Sequence, residues 1–339
     1  MDTFRNFGKT SDGRTARLYE IRKGRLSACI TDFGAALVSF AIDRGNSADN
    51  VVAGYESAAE YEEKDGCLGA IVGRSANRIG PAPAQFEGPA RPGFVLNGRR
   101  CLLNANESGR TNLHSGPDYY FRRYWSSEGP APEGDSISFT LFSPDGDQGF
   151  PGNMKTRVTY SLSEEEGLRI DYEAVSDADT VCNFTNHAYF DLGCGSNCGV
   201  HEHEIQIFAD RITVKDEYYV PTGEFLPVEG TDFDLRENKM ISRDYDDNFV
   251  LADHKRVSPE LAARLACPIS GLALYVYTDL PGLQLYTTSG LSASGGRTCG
   301  IALETQYFPN AVNIPGFPQP VIRAGEVWRS STIYRLCEE

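Results

Sequence analysis

The stretch "SISFTLFSPDGDQGFPGNMKTRVTYSLSEEEGLRIDYEAV" (136–175) decides the fold class. Three runs within it, "SISFTLFS" (136–143), "TRVTYSL" (156–162) and "LRIDYEAV" (168–175), alternate apolar and polar residues. A period of two puts every second side chain on one face of an extended chain, so each run predicts a half-buried strand. Between them lie glycine, proline and aspartate, the residues of tight turns. The same alternation recurs in "HEIQIFA" (203–209), "LALYVYTDL" (272–280) and "LQLYTTS" (283–289). Helical windows are short, "ESAAEYEEK" (56–64) and "SPELAARLA" (258–266), and do not alternate with strands as a parallel α/β protein requires. No linker, low-complexity tract or fixed-period repeat divides the chain. The expectation is an all-β, many-stranded antiparallel sandwich forming one domain over residues 1–339.

Composition narrows the partners. With 47 acidic against 32 basic residues the net charge is −15, which disfavours nucleic acid and anionic membrane surfaces. No run approaches the roughly 18–20 apolar residues of a membrane span. The charged N-terminus "MDTFRNFGKTSDGRTARLYEIRKG" (1–24) lacks the apolar centre of a signal peptide, so a cytoplasmic protein is expected. Nine cysteines, an odd number without a framework, then read as reduced thiols. Cys194, Cys198, His201 and His203 are of the types zinc takes, but all four sit on one glycine-rich segment running into a strand, unlike the paired turns of a zinc module. They read as incidental, with both histidines on one strand face, and no metal is expected.

Phosphate loops, G-x-S-x-G elbows and H-E-x-x-H are absent. What remains is a series of polar motifs mixed with aromatics: "GRSANRI" (73–79), "NLHSG" (112–116), "TNHAYFDLG" (185–193), "DYDDNFVL" (244–251) and "ALETQYFPNAVN" (302–313). Sugars call for that mixture, since hydroxyls need donors and acceptors while ring faces stack on aromatic side chains. Glu304, between "IAL" and "TQYF", is a carboxylate in apolar surroundings, where burial is costly unless the group is paired or functional.

Together with "ITDFGAALVSF" (30–40), "GDQGFPGN" (146–153) and "VPTGEFLPVEGTDFDLR" (220–236), these motifs make the chain resemble the aldose 1-epimerase family nearly end to end. The resemblance implies a β-supersandwich with an open cleft, no cofactor, a neutral hexose as partner, and interconversion of α and β anomers. It implies His187 as acid and Glu304 as base, with Asn77, Arg78, His114, Tyr189, Asp246 and Gln284 holding the substrate. A carboxylate near His187, from Glu304 and Asp246, would help the imidazole keep its proton. Arg74 reads as a residue supporting the substrate layer.

The chain also departs from the family pattern. Ser115 replaces a common glycine, Asp247 follows Asp246 where a histidine is usual, and Asn310, Asp232 and Leu235 replace aspartate, proline and phenylalanine. These changes bear on substrate preference, not on the acid and base. Two other readings are an epimerase of hexose 6-phosphates, which would need a basic cluster, and a non-catalytic sugar-binding module, which would not need both His187 and Glu304.

Overall fold

The structure, a computed structural model, describes residues 4–64, 66–82, 90–194, 198–291, 293 and 300–339. The alternating runs of the opening stretch form strands Ser136–Ser143, Met154–Ser163 and Gly167–Ser176, each antiparallel to the next. In the second, Val158, Tyr160 and Leu162 are buried while Thr159 and Ser161 are half-buried, as a period of two requires. These strands belong to a nine-stranded sheet with the long Val327–Glu338 strand near its middle. A seven-stranded sheet lies against it, in the order Pro221–Pro227, Arg211–Lys215, Asp246–Val250, Gly282–Thr288, Gly300–Gln306, Tyr189–Phe190 and Val52–Ala53. A five-stranded sheet holds the N-terminal strands from Arg5–Lys9 to Ala48–Asn50. Every ladder between described strands is antiparallel, and the all-β expectation holds.

The two large sheets share one core, in which Ile170 and Tyr172 from one meet Leu283, Leu285, Ile301 and Leu303 from the other. Each such side chain contributes about 1.5–3 kcal/mol on burial, well above an exposed ion pair, so this core joins the sheets. Polar bridges cross the same layer: Thr305 Oγ1 and Thr332 Oγ1 are 2.5 Å apart, and the Tyr334 hydroxyl donates to the Leu303 carbonyl at 3.4 Å.

One helical window is a helix, Ala58–Glu63, capped by Ser57 and anchored by buried Tyr61. The other, 258–266, is corrected: Glu260–Cys267 is a strand of the nine-stranded sheet, with a bulge between Leu261 and Ala263. Pairing on both sides, with Glu204–Ile207 and Leu272–Thr278, overrides the weak helical preference of its alanines. No helix of the described residues is long and apolar enough to cross a membrane.

Candidate active site

Two strands buried on both faces form the floor of the site. In Gly300–Gln306, Ile301, Leu303 and Thr305 turn toward the nine-stranded sheet, so Ala302 and Glu304 turn the other way. Directly opposed residues of an antiparallel pair share a face. Gln284 is opposite Glu304, Tyr286 is opposite Ala302, Asp246 is opposite Tyr286, and Tyr189 is opposite Ala302. Alternation thus delivers Glu304, Gln284, Tyr286, Asp246 and Tyr189 to one surface.

Loops supply the walls. Asn77, His114 and Ser115 adopt left-handed backbone conformations, with φ of 60°, 53° and 58°. That conformation is costly for residues with a Cβ, and here hydrogen bonds between the two loops hold it. The Asn77 N–H donates to His114 Nδ1 at 3.1 Å, and the His114 N–H donates to the Asn77 carbonyl at 3.1 Å. Ser115 Oγ accepts from the Ser75 N–H at 2.8 Å and donates to the Ser75 carbonyl at 3.1 Å, so the serine found in place of glycine clasps the neighbouring loop. Arg78 is held by a bidentate pair with Glu107 at 2.8 and 2.9 Å, and its Nη1 lies 3.7 Å from Asp246 Oδ2.

The resulting cleft, about 350 Å³, is lined by Asn77, Arg78, His114, His187, Tyr189, Asp246 and Glu304, together with Cys67, Tyr119, Phe121, Arg122 and Tyr286. At its base His187 Nε2 lies 3.5 Å from Glu304 Oε1. Burial, reinforced by the charge of Asp246 and opposed by Arg78, pushes the Glu304 carboxyl up to about 8. Burial alone would lower His187, but the Cys67 sulfur, a backbone hydrogen bond and Asp246 outweigh it and raise the imidazole above its ordinary value. The two groups share one microenvironment, with Asp246 acting on both. His114 behaves oppositely: burial, with His187 and Arg78 nearby, holds its pKa well below the ordinary value. With Nδ1 accepting from Asn77, the neutral ring carries its proton on Nε2 and is a hydrogen-bond donor.

A family model described as aldose 1-epimerase matches residues 17–335. The chain belongs to the aldose 1-epimerase family. It is 35% identical to pig galactose mutarotase over 96% of each chain, and 32% identical to the aldose 1-epimerase of Escherichia coli K12 over 97% of each. Among solved structures, an aldose epimerase homologue from C. elegans superposes with a TM-score of 0.83 at 27% identity, covering 95% of this chain and 99% of the other. Galactose 1-epimerase from Lactobacillus acidophilus, at 24% identity, shares the fold with a TM-score of 0.82 over 99% and 98% of the two chains.

Of the residues the family resemblance implied, seven line the cleft and Gln284 stands one layer back. Its Nε2 donates to Asp246 Oδ1 at 2.6 Å, while its buried Oε1 has no hydrogen-bond partner among the described residues. Asp246, not Asp247, faces the cleft: Asp247 is opposite core residue Leu285 and pairs with Lys215 at 2.8 Å. Arg74 is 1% exposed and lies outside the cleft lining, where it ties together the loop around Ser143 and Pro151. Asp246→Asn is expected to raise KM about tenfold by weakening one charge-assisted hydrogen bond, as read from initial rates over a range of sugar concentrations.

The Cys194/Cys198/His201/His203 set does not converge. His201 lies in a 3₁₀ turn, Val200–Glu202, not on a strand, and its Nδ1 is 2.9 Å from the Ile241 carbonyl. His203, fully buried, has Nδ1 2.9 Å from the Gly199 carbonyl, while Nε2 accepts from the Leu192 N–H at 3.0 Å. Cys198 and His203 instead meet Cys267. Sequence reading missed Cys67 and the Tyr119/Phe121 pair, whose rings stack 4.4 Å apart on the cleft wall. The signal for the pair was present as "PDYYFRRYW" (117–125), an aromatic and arginine cluster directly after "NLHSG".

Proposed function

We propose that this enzyme interconverts the α and β anomers of a neutral hexose, galactose or glucose, with Glu304 as base and His187 as acid. The observation that carries the reading is the 3.5 Å approach of His187 Nε2 to Glu304 Oε1 at the base of a cleft lined with hydroxyl-binding groups. The C1 hydroxyl and the ring oxygen of a pyranose are separated by one carbon, so an acid and a base that serve both must lie side by side. Glu304 takes the proton from the C1 hydroxyl as His187 delivers one to the ring oxygen, and the ring opens to the aldehyde. Rotation about C1–C2 presents the other carbonyl face; closure then returns the proton to His187 and reprotonates O1 from Glu304. No group is consumed.

The remaining residues serve to hold the sugar still while C1 rotates. Arg78 and Asp246 offer a donor and an acceptor to adjacent hydroxyls, with Gln284 fixing Asp246, while His114 donates from Nε2. The stacked Tyr119 and Phe121 rings, with Tyr189 and Tyr286, offer apolar surface to a sugar face. Arg78 is already paired with Glu107 and Asp246, an arrangement that suits an uncharged sugar.

The test is polarimetry. Pure α-galactose, and separately α-glucose, should reach rotational equilibrium faster with catalytic amounts of protein, and His187→Ala should abolish the acceleration. Because Glu304 must be ionised to act, the acid limb of kcat/KM is expected far above the usual carboxylate value of about 4.3, toward the value of about 8 to which its surroundings push it. Tight sugar binding without any acceleration would overturn the catalytic reading.

A further inference from the structure

Three carboxylates stand around Arg78: Glu107, Asp246 and Glu304. Glu107 alone is hydrogen-bonded to the guanidinium, through Nε at 2.8 Å and Nη2 at 2.9 Å, whereas Asp246 Oδ2 lies 3.7 Å from Nη1, beyond hydrogen-bond reach. Glu107 itself is outside the cleft lining and touches none of the groups that exchange protons. We propose that Glu107 is a positioning residue for sugar binding and anomer exchange: it draws the Arg78 guanidinium off Asp246 and Glu304, leaving the first carboxylate free to accept sugar hydroxyls and the second free to take the C1 proton.

The anchor is built by local pairing. Arg78 is opposite Leu113 in the short ladder between Arg78–Ile79 and Asn112–Leu113. Just before that ladder the chain turns tightly: the Glu107 N–H donates to the Thr111 carbonyl at 3.2 Å, and the Thr111 N–H donates to the Glu107 carbonyl at 3.1 Å. Thr111, 1% exposed, also donates its hydroxyl to Glu107 Oε2 at 2.8 Å, so the carboxylate is aimed by a group the solvent does not reach. On its other side the guanidinium lies over the Tyr219 ring, 5.1 Å from the centroid. The Arg78 side chain is 13% exposed, so solvent screens its pairs weakly and the two-pronged contact with Glu107 prevails over a single approach to Asp246.

Asp246 has one oxygen to spare. Oδ1 accepts from Gln284 Nε2 at 2.6 Å, which leaves Oδ2, the atom facing Arg78, for the sugar. Without a charge on residue 107 the guanidinium closes on Oδ2 and takes that acceptor away. Burial and the charge of Asp246 raise the Glu304 carboxyl, and Arg78 opposes them. A guanidinium that swings inward neutralises Asp246 and comes nearer to Glu304, and both changes lower that carboxyl. The other charged and titratable groups facing Glu304 are His187, Tyr189, Tyr286 and Tyr334, with His114, Cys67 and Arg122 across the cleft. None of them is held by Glu107, so a shift of Glu304 reports the movement of Arg78.

The rate readout rests on the proposed function, whereas sugar affinity is read independently of it. Calorimetric titration with galactose, and polarimetric kcat and KM from pH 5 to 10, are compared for the parent, Glu107→Gln, Glu107→Asp and Thr111→Val, with thermal melts to confirm folding. In Glu107→Gln the Kd and KM for galactose are expected to rise about tenfold, with kcat at its own optimum changed about threefold or less. The acid limb of kcat/KM should move about one pH unit lower, which a purely structural role for Glu107 would not produce. Glu107→Asp keeps the charge and should return the limb most of the way, and Thr111→Val, which removes no charge, should raise Kd about threefold. A folded Glu107→Gln with Kd within about twofold of the parent and an unmoved acid limb overturns the role, as does a Glu107→Asp that behaves like Glu107→Gln. Should Glu107→Gln fail to fold, Thr111→Val decides, and parental Kd there overturns the role. Weakened galactose binding in Glu107→Gln, in a protein whose parent does not accelerate mutarotation, would keep Glu107 as a positioning residue for the sugar while removing the catalytic reading.

Discussion

Glu304→Gln is expected to lower kcat at least about a thousandfold while changing sugar affinity only a few-fold, since a positioned acid or base contributes about 10²–10⁴ in rate. The amide keeps the shape and hydrogen-bonding reach of the side chain but cannot accept the C1 hydroxyl proton. Polarimetry gives the rate and calorimetric titration with galactose gives the affinity. A variant with more than a tenth of the parental kcat would remove Glu304 from the role of base.

The same substitution has a stability signature. Folded, the Glu304 carboxyl keeps its proton up to about 8, whereas the unfolded chain releases it near 4.5. The native state therefore binds one more proton across that window, and stability falls as pH rises through it. The contribution is fully present below 4.5 and lost above about 8, a difference of the order of a few kcal/mol. Glu304→Gln, neutral at every pH, should flatten that slope in melts collected from pH 5 to 9. The variant should be inactive yet more stable than the parent at alkaline pH, a combination that general misfolding does not produce.

Arg74→Met is expected to destabilise the protein by about 4 kcal/mol or more, with a Tm lower by about 6 °C. Arg74 Nε donates to Ser143 Oγ at 3.0 Å, Nη1 to the Pro151 carbonyl at 2.8 Å, and Nη2 to the Ser143 and Pro144 carbonyls at 2.9 and 3.0 Å. Its charge is balanced through Ser143, whose Oγ donates to Asp147 Oδ2 at 2.5 Å. Methionine fills much of the same volume but removes the guanidinium donors from the Ser143, Pro144 and Pro151 carbonyls, the first of them buried, while Asp147 keeps its direct pair with Arg123 at 2.6 Å. Denaturant and thermal unfolding measure the loss; a change below 1 kcal/mol would show that water replaces the guanidinium. Because Asn77 and Arg78 follow in the same loop, KM should rise as well.

The alternation in residues 136–175 was enough to read three strands, because one face of each is committed to the core and the other is wetter. Residues 258–266 were misread because alanine, leucine and arginine favour helix locally, and the neighbours that make them a strand are nearby only after folding. Glu304 was legible as a lone carboxylate within apolar sequence. Cys67 was not: it reaches His187 through hydrogen bonds between segments about 120 residues apart, with a left-handed turn that no residue type announces. The choice of Asp246 over Asp247 is carried by strand parity, which becomes visible once the register against Gly282–Thr288 is known.

Glu304 is carried by the Gly300–Gln306 strand, which is buried on both faces and paired on both edges. The cleft-lining Tyr119, Phe121 and Arg122, by contrast, belong to a connecting segment around the short 3₁₀ turn Tyr120–Arg122. Reactivity and taste for a substrate are thus inherited through different parts of the chain. Drift in the connecting segment can re-tailor which aldose is welcomed, while the seat of proton transfer stays fixed by the same packing that keeps the protein folded.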